Sequence, residues 1–286
     1  MPMTRAQVAR VIVEEIRKGG ATEHGGLLLD LSPNLDSPDG EFFLMMMKKF
    51  AGPFLEGVRK AYGKEAFDFK VPWDVLPTAH YNMGGIKTDE WCRSRVTGLY
   101  ACGQAQGGVM GGNRLGSTSL TEIFVFGKRA ARAAAEEAQG RVLAEETVAG
   151  EAMERLRALP GLKGTHRPIK VKRRLQRLMW EKVGPLRDGD GLKQALEGIE
   201  SIREEARDLR ISDFSRCNQE ITDAIELPHM VVAAEAIALS ALERSESRGA
   251  HVRVDFPDHY AEKPVQNVLV EMSNGACKTR CMETGE

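Results

Sequence analysis

The sequence predicts a mixed fold: an α/β segment with few strands in the first half, then an all-α bundle. Three observations predict it. Short apolar runs flanked by Gly and Pro are confined to the first hundred residues, at Leu27–Leu31, Ala79–Met83 and Gly98–Cys102. A glycine-rich loop follows the last of these and leads into a long helical pattern from Leu120 to about Gln139. From about residue 145 onward, apolar positions recur at helical spacing between short Pro and Gly interruptions.

Taken in order, residues 4–18 read as a helix, with Val8, Val11, Ile12 and Ile16 on one face and Gly19-Gly20 as its stop. Gly25-Gly26 precede the apolar strand Leu27–Leu31, and Pro33, Asn34, Pro38 and Gly40 mark loops. A second helix is expected over about 41–62. Pro72 and Pro77 exclude helix from the next stretch. Beyond it, helices are expected at 147–158, 167–182, 188–209 and 218–247, and their short connections imply antiparallel packing. The last thirty or so residues are polar and weakly patterned, and read as a loose tail. The strands are too few for a complete nucleotide-binding sheet.

Composition narrows the function. The 286 residues are 42% hydrophobic and 28% charged, and the net charge of −1 gives no field that would select nucleic acid or a membrane surface. The apolar stretch Met230–Leu242 is broken by Glu235 and Ser240 and reads as a buried helix, with no direct membrane insertion. No leader segment is visible, so a cytoplasmic location is expected. Five scattered cysteines, at 92, 102, 217, 277 and 281, argue against a disulfide framework. Cys277 and Cys281 form a single C-x3-C, which cannot complete a four-ligand metal site, and no metal is expected.

The most informative segment is the loop from Gly103 to Leu120, with six glycines in fourteen residues. Glycines permit positive φ and close approach to a ligand, but a packing loop is equally compatible with them. The segment is neither a phosphate loop of the G-K-[ST] type nor a G-x-G-x-x-G turn. Ser119 with Glu122 fits a capping box, making Ser119 the expected N-cap and turning free amides towards whatever the loop encloses. Arg114, set among glycines, could clamp a carboxylate or phosphate with its planar fork, or make a surface ion pair. His80 stands before Gly84-Gly85 and could reach a ligand without obstruction.

Together, the segments P-T-A-H-Y-N-M-G-G-I (77–86) and G-L-Y-A-C-G-Q…G-G-N-R-L-G-S-T-S-L (98–120) resemble the flavoprotein subunits of succinate dehydrogenase and fumarate reductase. Ser247-Arg-Gly-Ala-His-Val-Arg-Val-Asp255 resembles the motif near the end of that family's helical domain, so the resemblance runs from about Arg5 to Asp255. It implies an incomplete FAD-binding α/β domain with a remnant capping domain, followed by a C-terminal helical bundle. The implied bounds are 1–70 for the capping remnant, 71–142 for the FAD-binding part, 143–250 for the bundle and 251–286 for an extension.

The resemblance also implies roles. The family moves two electrons between FAD and a C4-dicarboxylate, interconverting fumarate and succinate. His80 and Arg114 match its substrate-binding residues, and Arg5 matches its proton donor, although Arg5 could equally be a frayed terminal residue. Tyr81, Gly103, Gln104, Ser117, Ser119 and Leu120 match positions at FAD. Met83 is what dicarboxylate enzymes tend to carry where L-aspartate oxidases show Cys. Missing are the family's G-x-G-x-x-G start and its covalent-FAD histidine; Gln104 replaces an acidic residue, Met110 a common His, and Asp258-His-Tyr-Ala the family's R-D-D stretch. The chain is expected to share FAD with a companion carrying the missing N-terminal half, and to work with an iron–sulfur subunit that could hold it at a membrane. A related flavoprotein such as an L-aspartate oxidase, a fragment of an ordinary enzyme and a non-catalytic scaffold homologue remain open.

Overall fold

The computed structural model describes residues 4–141, 146–213, 216–257, 264–273 and 276–283. They form two compact units, one reaching to His80 and the other starting at Tyr81.

The first unit opens with α1 (Arg5–Glu15). Thr4 and Gln7 make a reciprocal capping box, with the Gln7 amide donating to Thr4 Oγ1 (3.3 Å) and the Thr4 amide to Gln7 Oε1 (2.8 Å). The expected helix to residue 18 instead widens into a π turn over Ile16–Gly20, which ends as Gly19 adopts φ +90°. Strand β1 (Leu27–Leu29) pairs antiparallel with β2 (Trp73–Val75), Leu27 opposite Val75 and Leu29 opposite Trp73. Between the strands lie α2 (Gly40–Tyr62), which kinks at Ala51 two residues before Pro53, and the short α3 (Lys64–Phe67). The core of this unit is aromatic. Phe69 lies 5.3 Å from the rings of both Phe43 and Trp73, and Trp73 Nε1 donates to the Ala66 carbonyl at 2.9 Å.

The second unit is mainly helical. An irregular segment leads to α4 (Thr118–Ala138), then α5 (Glu146–Arg157), α6 (Pro168–Val183), α7 (Gly189–Glu205) and α8 (Gln219–Glu243). The starts follow helix chemistry: Pro168 occupies the first turn of α6, the Asp188 side chain accepts from the Gly191 amide, and Asn218 accepts from the Glu220 amide. Helices α6, α7 and α8 bury Val171, Leu175, Leu192, Ile199, Ile202, Leu227 and Val231 in one core. Full burial of one such side chain contributes about 2 kcal/mol. Lys172 ties α6 to α8, donating to Asp223 at 2.9 Å and Glu226 at 2.7 Å. By length and composition α8 could cross a membrane; its Leu227, Val231, Ala234, Ala238 and Ala241 belong to this core, whereas Val232 and Ile237, inside the stretch expected to be buried, are exposed.

Three expectations are corrected. Ala79–Met83 and Gly98–Cys102 are not strands; among the described residues neither has a continuous partner, and Tyr100 makes a single bridge to Arg93. The supposed loose tail contains a hairpin, β3 (Gln266–Ser273) with β4 (Ala276–Glu283), paired in register from Gln266–Glu283 to Ser273–Ala276. Its alternation was hidden by polar residues on both faces. Cys277 and Cys281 lie on β4, where burial and the nearby Glu235 push the Cys277 thiol up. The substitution read at Asp258-His-Tyr-Ala lies outside the described residues.

Candidate functional site

The loop preceding α4 is built on backbone irregularity. Gly103 takes φ +68° in a tight turn, and a Cβ there would sit 3.4 Å from Ile123 Cγ1. Gly108 (φ +97°) and Gly111 (φ +60°) face open space. Gly85 and the chain at 105–107 are in close contact, since a Cβ on Gly85 would lie 2.4 Å from the Ala105 carbonyl oxygen. Ile86 and Gln106 bridge there, with the Ile86 amide donating to Ala105 at 2.8 Å and the Gly107 amide to Ile86 at 3.0 Å. Thus Gly85-Ile86 and the glycine-rich loop are joined along their backbones.

Arg114 is half-buried on this platform. Its guanidinium lies 4.4 Å from the Tyr81 ring centroid, Nη1 donates to Ser119 Oγ at 2.7 Å, and its amide donates to Met83 Sδ at 3.2 Å. Burial and the Glu122 carboxylate push the Tyr81 hydroxyl above its ordinary value, while Arg114 opposes them.

The start of α4 differs from the capping box expected at Ser119. The N-cap is Ser117, in the left-handed region at φ +67°, and among the described residues no side chain caps the helix. The Ser119 hydroxyl is occupied by Arg114 instead. Glu122 does not fold back onto the helix start; it is 5% exposed, and among the described residues neither of its carboxylate oxygens has a partner. The first-turn amides of a long helix thus lack a side-chain cap. Around them Leu115 (75% exposed), Leu120 (62%) and Phe124 (76%) form an uncovered apolar surface.

The remaining predicted residues are placed as follows. Gln104 is exposed in the turn beginning at Gly103. His80 is exposed at the end of the first unit, and Arg5 is exposed in the first turn of α1; among the described residues neither side chain has a hydrogen-bond partner. Tyr81, Arg114 and Ser119 are therefore brought together within the second unit, whereas Arg5 and His80 belong to the first. Sequence reasoning missed Met83 as a partner of the Arg114 backbone and misassigned Glu122. The helical spacing of Glu122 from Thr118 and Phe126 placed it on an inward face and was the available signal.

A guanidinium over an aromatic ring thus lies beside an uncapped helix start and exposed apolar side chains. Residues 4–120 match the family described as FAD binding domain, and residues 172–282 match Fumarate reductase flavoprotein C-term. The chain is 34% identical over 256 residues to a fumarate reductase (CoM/CoB) subunit of Methanothermobacter marburgensis, covering 89% of this chain and 45% of that one. Among solved structures it resembles a mutant quinol fumarate reductase of E. coli (TM-score 0.82, 31% identity, 98% of this chain and 48% of that one). It also resembles Mycobacterium smegmatis Sdh1 (TM-score 0.81, 27% identity, 98% and 47%). The chain belongs to the succinate dehydrogenase/fumarate reductase flavoprotein family, whose members are FAD-dependent oxidoreductases. It spans about half the length of these relatives.

The residues present fit the ring end of FAD. The uncapped amides at Thr118 and Ser119 offer donors and a positive dipole end, and exposed Leu120 offers an apolar face. The phosphate grip of a G-x-G-x-x-G turn is absent from the sequence.

Proposed function

We propose that this chain forms the substrate-clamping part of a FAD-dependent enzyme that interconverts fumarate and succinate, completed by a companion polypeptide with the dinucleotide-binding half. The observation that carries this reading is the planar fork of Arg114, held by Tyr81 and Ser119 beside the start of α4.

FAD supplies the hydride donor and acceptor. Arg114 grips one carboxylate of a C4-dicarboxylate with paired donors, which fixes the substrate plane. His80 binds a substrate carboxylate. Arg5 delivers or removes the proton on the other alkene carbon. A guanidinium holds its proton tightly, so the proton Arg5 gives up is resupplied by a carboxylate or water. Ser117, Ser119 and Leu120 at the uncapped start of α4, together with Tyr81, Gly103 and Gln104, would hold the flavin end of FAD. In this reading residues 1–70 belong to the capping domain, 71–142 to the FAD-binding domain, 143–250 to the bundle and 251–286 to an extension. An iron–sulfur subunit exchanges electrons with the flavin and holds the assembly at the membrane surface.

Two features support a companion. The apolar surface at Leu115, Leu120 and Phe124 is uncovered, and buried Glu122 lacks a partner among the described residues. The test is a flavin absorbance spectrum of the purified chain with and without the companion. Little flavin alone and stoichiometric flavin with the companion are expected; stoichiometric FAD in the lone chain would sink the split arrangement. Replacing Arg114 or His80 should abolish dicarboxylate turnover, and retained turnover in either variant would refute its role.

A further inference from the structure

The motif Ser247–Asp255 has no part in the scheme above, yet it touches the glycine-rich loop. Gly249 adopts φ +62°, and a Cβ built on it would lie 2.1 Å from the Gly112 carbonyl oxygen, 2.4 Å from its carbon and 3.0 Å from its Cα. The Ala250 amide donates to the same oxygen at 2.9 Å. The contact is asymmetric, because a Cβ on Gly112 would meet Gly249 Cα at an ordinary 3.7 Å. Only glycine at 249 permits both the left-handed backbone and the close approach.

The turn that presents Gly249 is fixed to the bundle. Arg248 and His251 exchange backbone hydrogen bonds at 2.9 and 3.1 Å. Arg248 also donates to Glu246 from Nε (3.1 Å) and Nη2 (2.9 Å), and the Glu246 side chain is only 7% exposed. Arg253, 3% exposed, donates from Nη1 to the carbonyls of Ala241, Leu242 and Arg244 at 3.0, 3.1 and 3.3 Å, closing the end of α8. His251 bridges Arg187 Nη1 (2.8 Å) and the Arg244 carbonyl (3.2 Å). On the loop side, Gly112 stands two residues before Arg114, and open space surrounds Gly108 and Gly111. The bundle turn is therefore a firm support for the part of the loop at Gly112, between Gly111, which faces open space, and Arg114.

We infer that Gly249 is a positioning residue for Arg114: the bundle sets the height of the glycine-rich loop through the Gly249–Gly112 backbone contact, and so aims the carboxylate clamp. The functional half of this inference rests on the dicarboxylate reading above. A methyl group at 249 must push Gly112 away by more than an ångström, and displacements of that size in a substrate-positioning group cost on the order of a hundredfold.

The test compares G249A with G140A in the FAD-loaded flavoprotein completed by its companion. Gly140 also has positive φ (+75°) but nothing within 4 Å of its would-be Cβ, so G140A carries the backbone strain alone. Binding of malonate, a dicarboxylate that cannot react, is read from the flavin spectrum, and amide hydrogen exchange is followed at residues 111–116. G249A should bind malonate at least about tenfold more weakly and exchange faster in the loop, with FAD retained and α6–α8 still protected. G140A should match wild type in both. Loop exchange in G249A equal to that in G140A would overturn the inference, as would unchanged malonate affinity alongside tight wild-type binding. If wild type binds no malonate while G249A still loosens the loop, the dicarboxylate reading falls and the positioning contact stands. Should G249A fail to fold, E246Q removes the charge that holds Arg248 without entering the contact. Faster loop exchange is expected there too, and wild-type exchange in E246Q would count against the proposal.

Discussion

Arg114 stacks on Tyr81, its guanidinium carbon 4.4 Å from the ring centroid. The two side chains come from segments more than thirty residues apart, joined by the backbone contact of Gly85 with the chain at 105–107. Stacking leaves the edge of the guanidinium available while its plane is fixed.

That geometry predicts that Arg114→Lys is not conservative. Lysine keeps the charge but loses the plane, the stacking and the paired donors. Dicarboxylate affinity of the completed flavoprotein should fall on the order of tenfold or more, with the thermal midpoint little changed. Titration with malonate checks this; equal affinity in both proteins would mean that charge alone suffices.

His251 predicts acid sensitivity of the bundle. Its Nδ1 accepts from Arg187, a bond that needs a neutral ring, while its Nε2 donates to the Arg244 carbonyl. Burial first, and then the charge of Arg187, hold His251 down at about 4, against an ordinary 6.5. Burial and the neighbouring Arg253 likewise bring Arg187 down to about 10. The unfolded chain takes up the His251 proton near pH 6.5, but the folded chain only near pH 4. The stabilisation is complete above pH 6.5 and is lost as pH falls towards 4, a change on the order of 3 kcal/mol. Glu220 and Asp255, both drawn down to about 2 by hydrogen bonds and arginine partners, add their losses only at lower pH. His251→Gln, which can keep an acceptor and a donor without titrating, should flatten the dependence of the thermal midpoint between pH 6.5 and 4.5. An unchanged slope would assign the acid sensitivity to other groups.

Glu122 predicts opposite effects on the lone chain and on the assembly. Burying a polar group without a hydrogen-bond partner is costly, and an apolar replacement removes that cost. Glu122→Leu should therefore leave the isolated chain at least as stable in urea, yet weaken its association with the companion. Clear destabilisation of the lone chain would show that Glu122 is already satisfied there.

Lys172 predicts a specific cost in the bundle. Asp223, its partner on α8, has a side chain only 4% exposed. Lys172→Met leaves that carboxylate with the weaker Gln219 bond alone, and should destabilise the bundle by about 3 kcal/mol in urea unfolding. A loss below about 0.5 kcal/mol would mark the pair as a surface interaction.

By itself the sequence determined the local features. Helical periodicity placed α2 and α4–α8 within a few residues of their bounds, since each carries its own apolar face and stop signals. The two long motifs identified the flavoprotein family, and Arg114 stood out as a cation among glycines. What needed the tertiary structure was every choice between partners distant in the chain. Ser119 could cap α4 or accept from Arg114, and the nearby guanidinium is the stronger donor, so the cap passed to Ser117. Ala79–Met83 has the composition of a strand but no partner strand beside it, and a ladder forms only between two. Gly249 looked like one glycine among many until the fold set Gly112 against it, because a steric requirement belongs to a pair of backbones and is carried by neither local sequence alone.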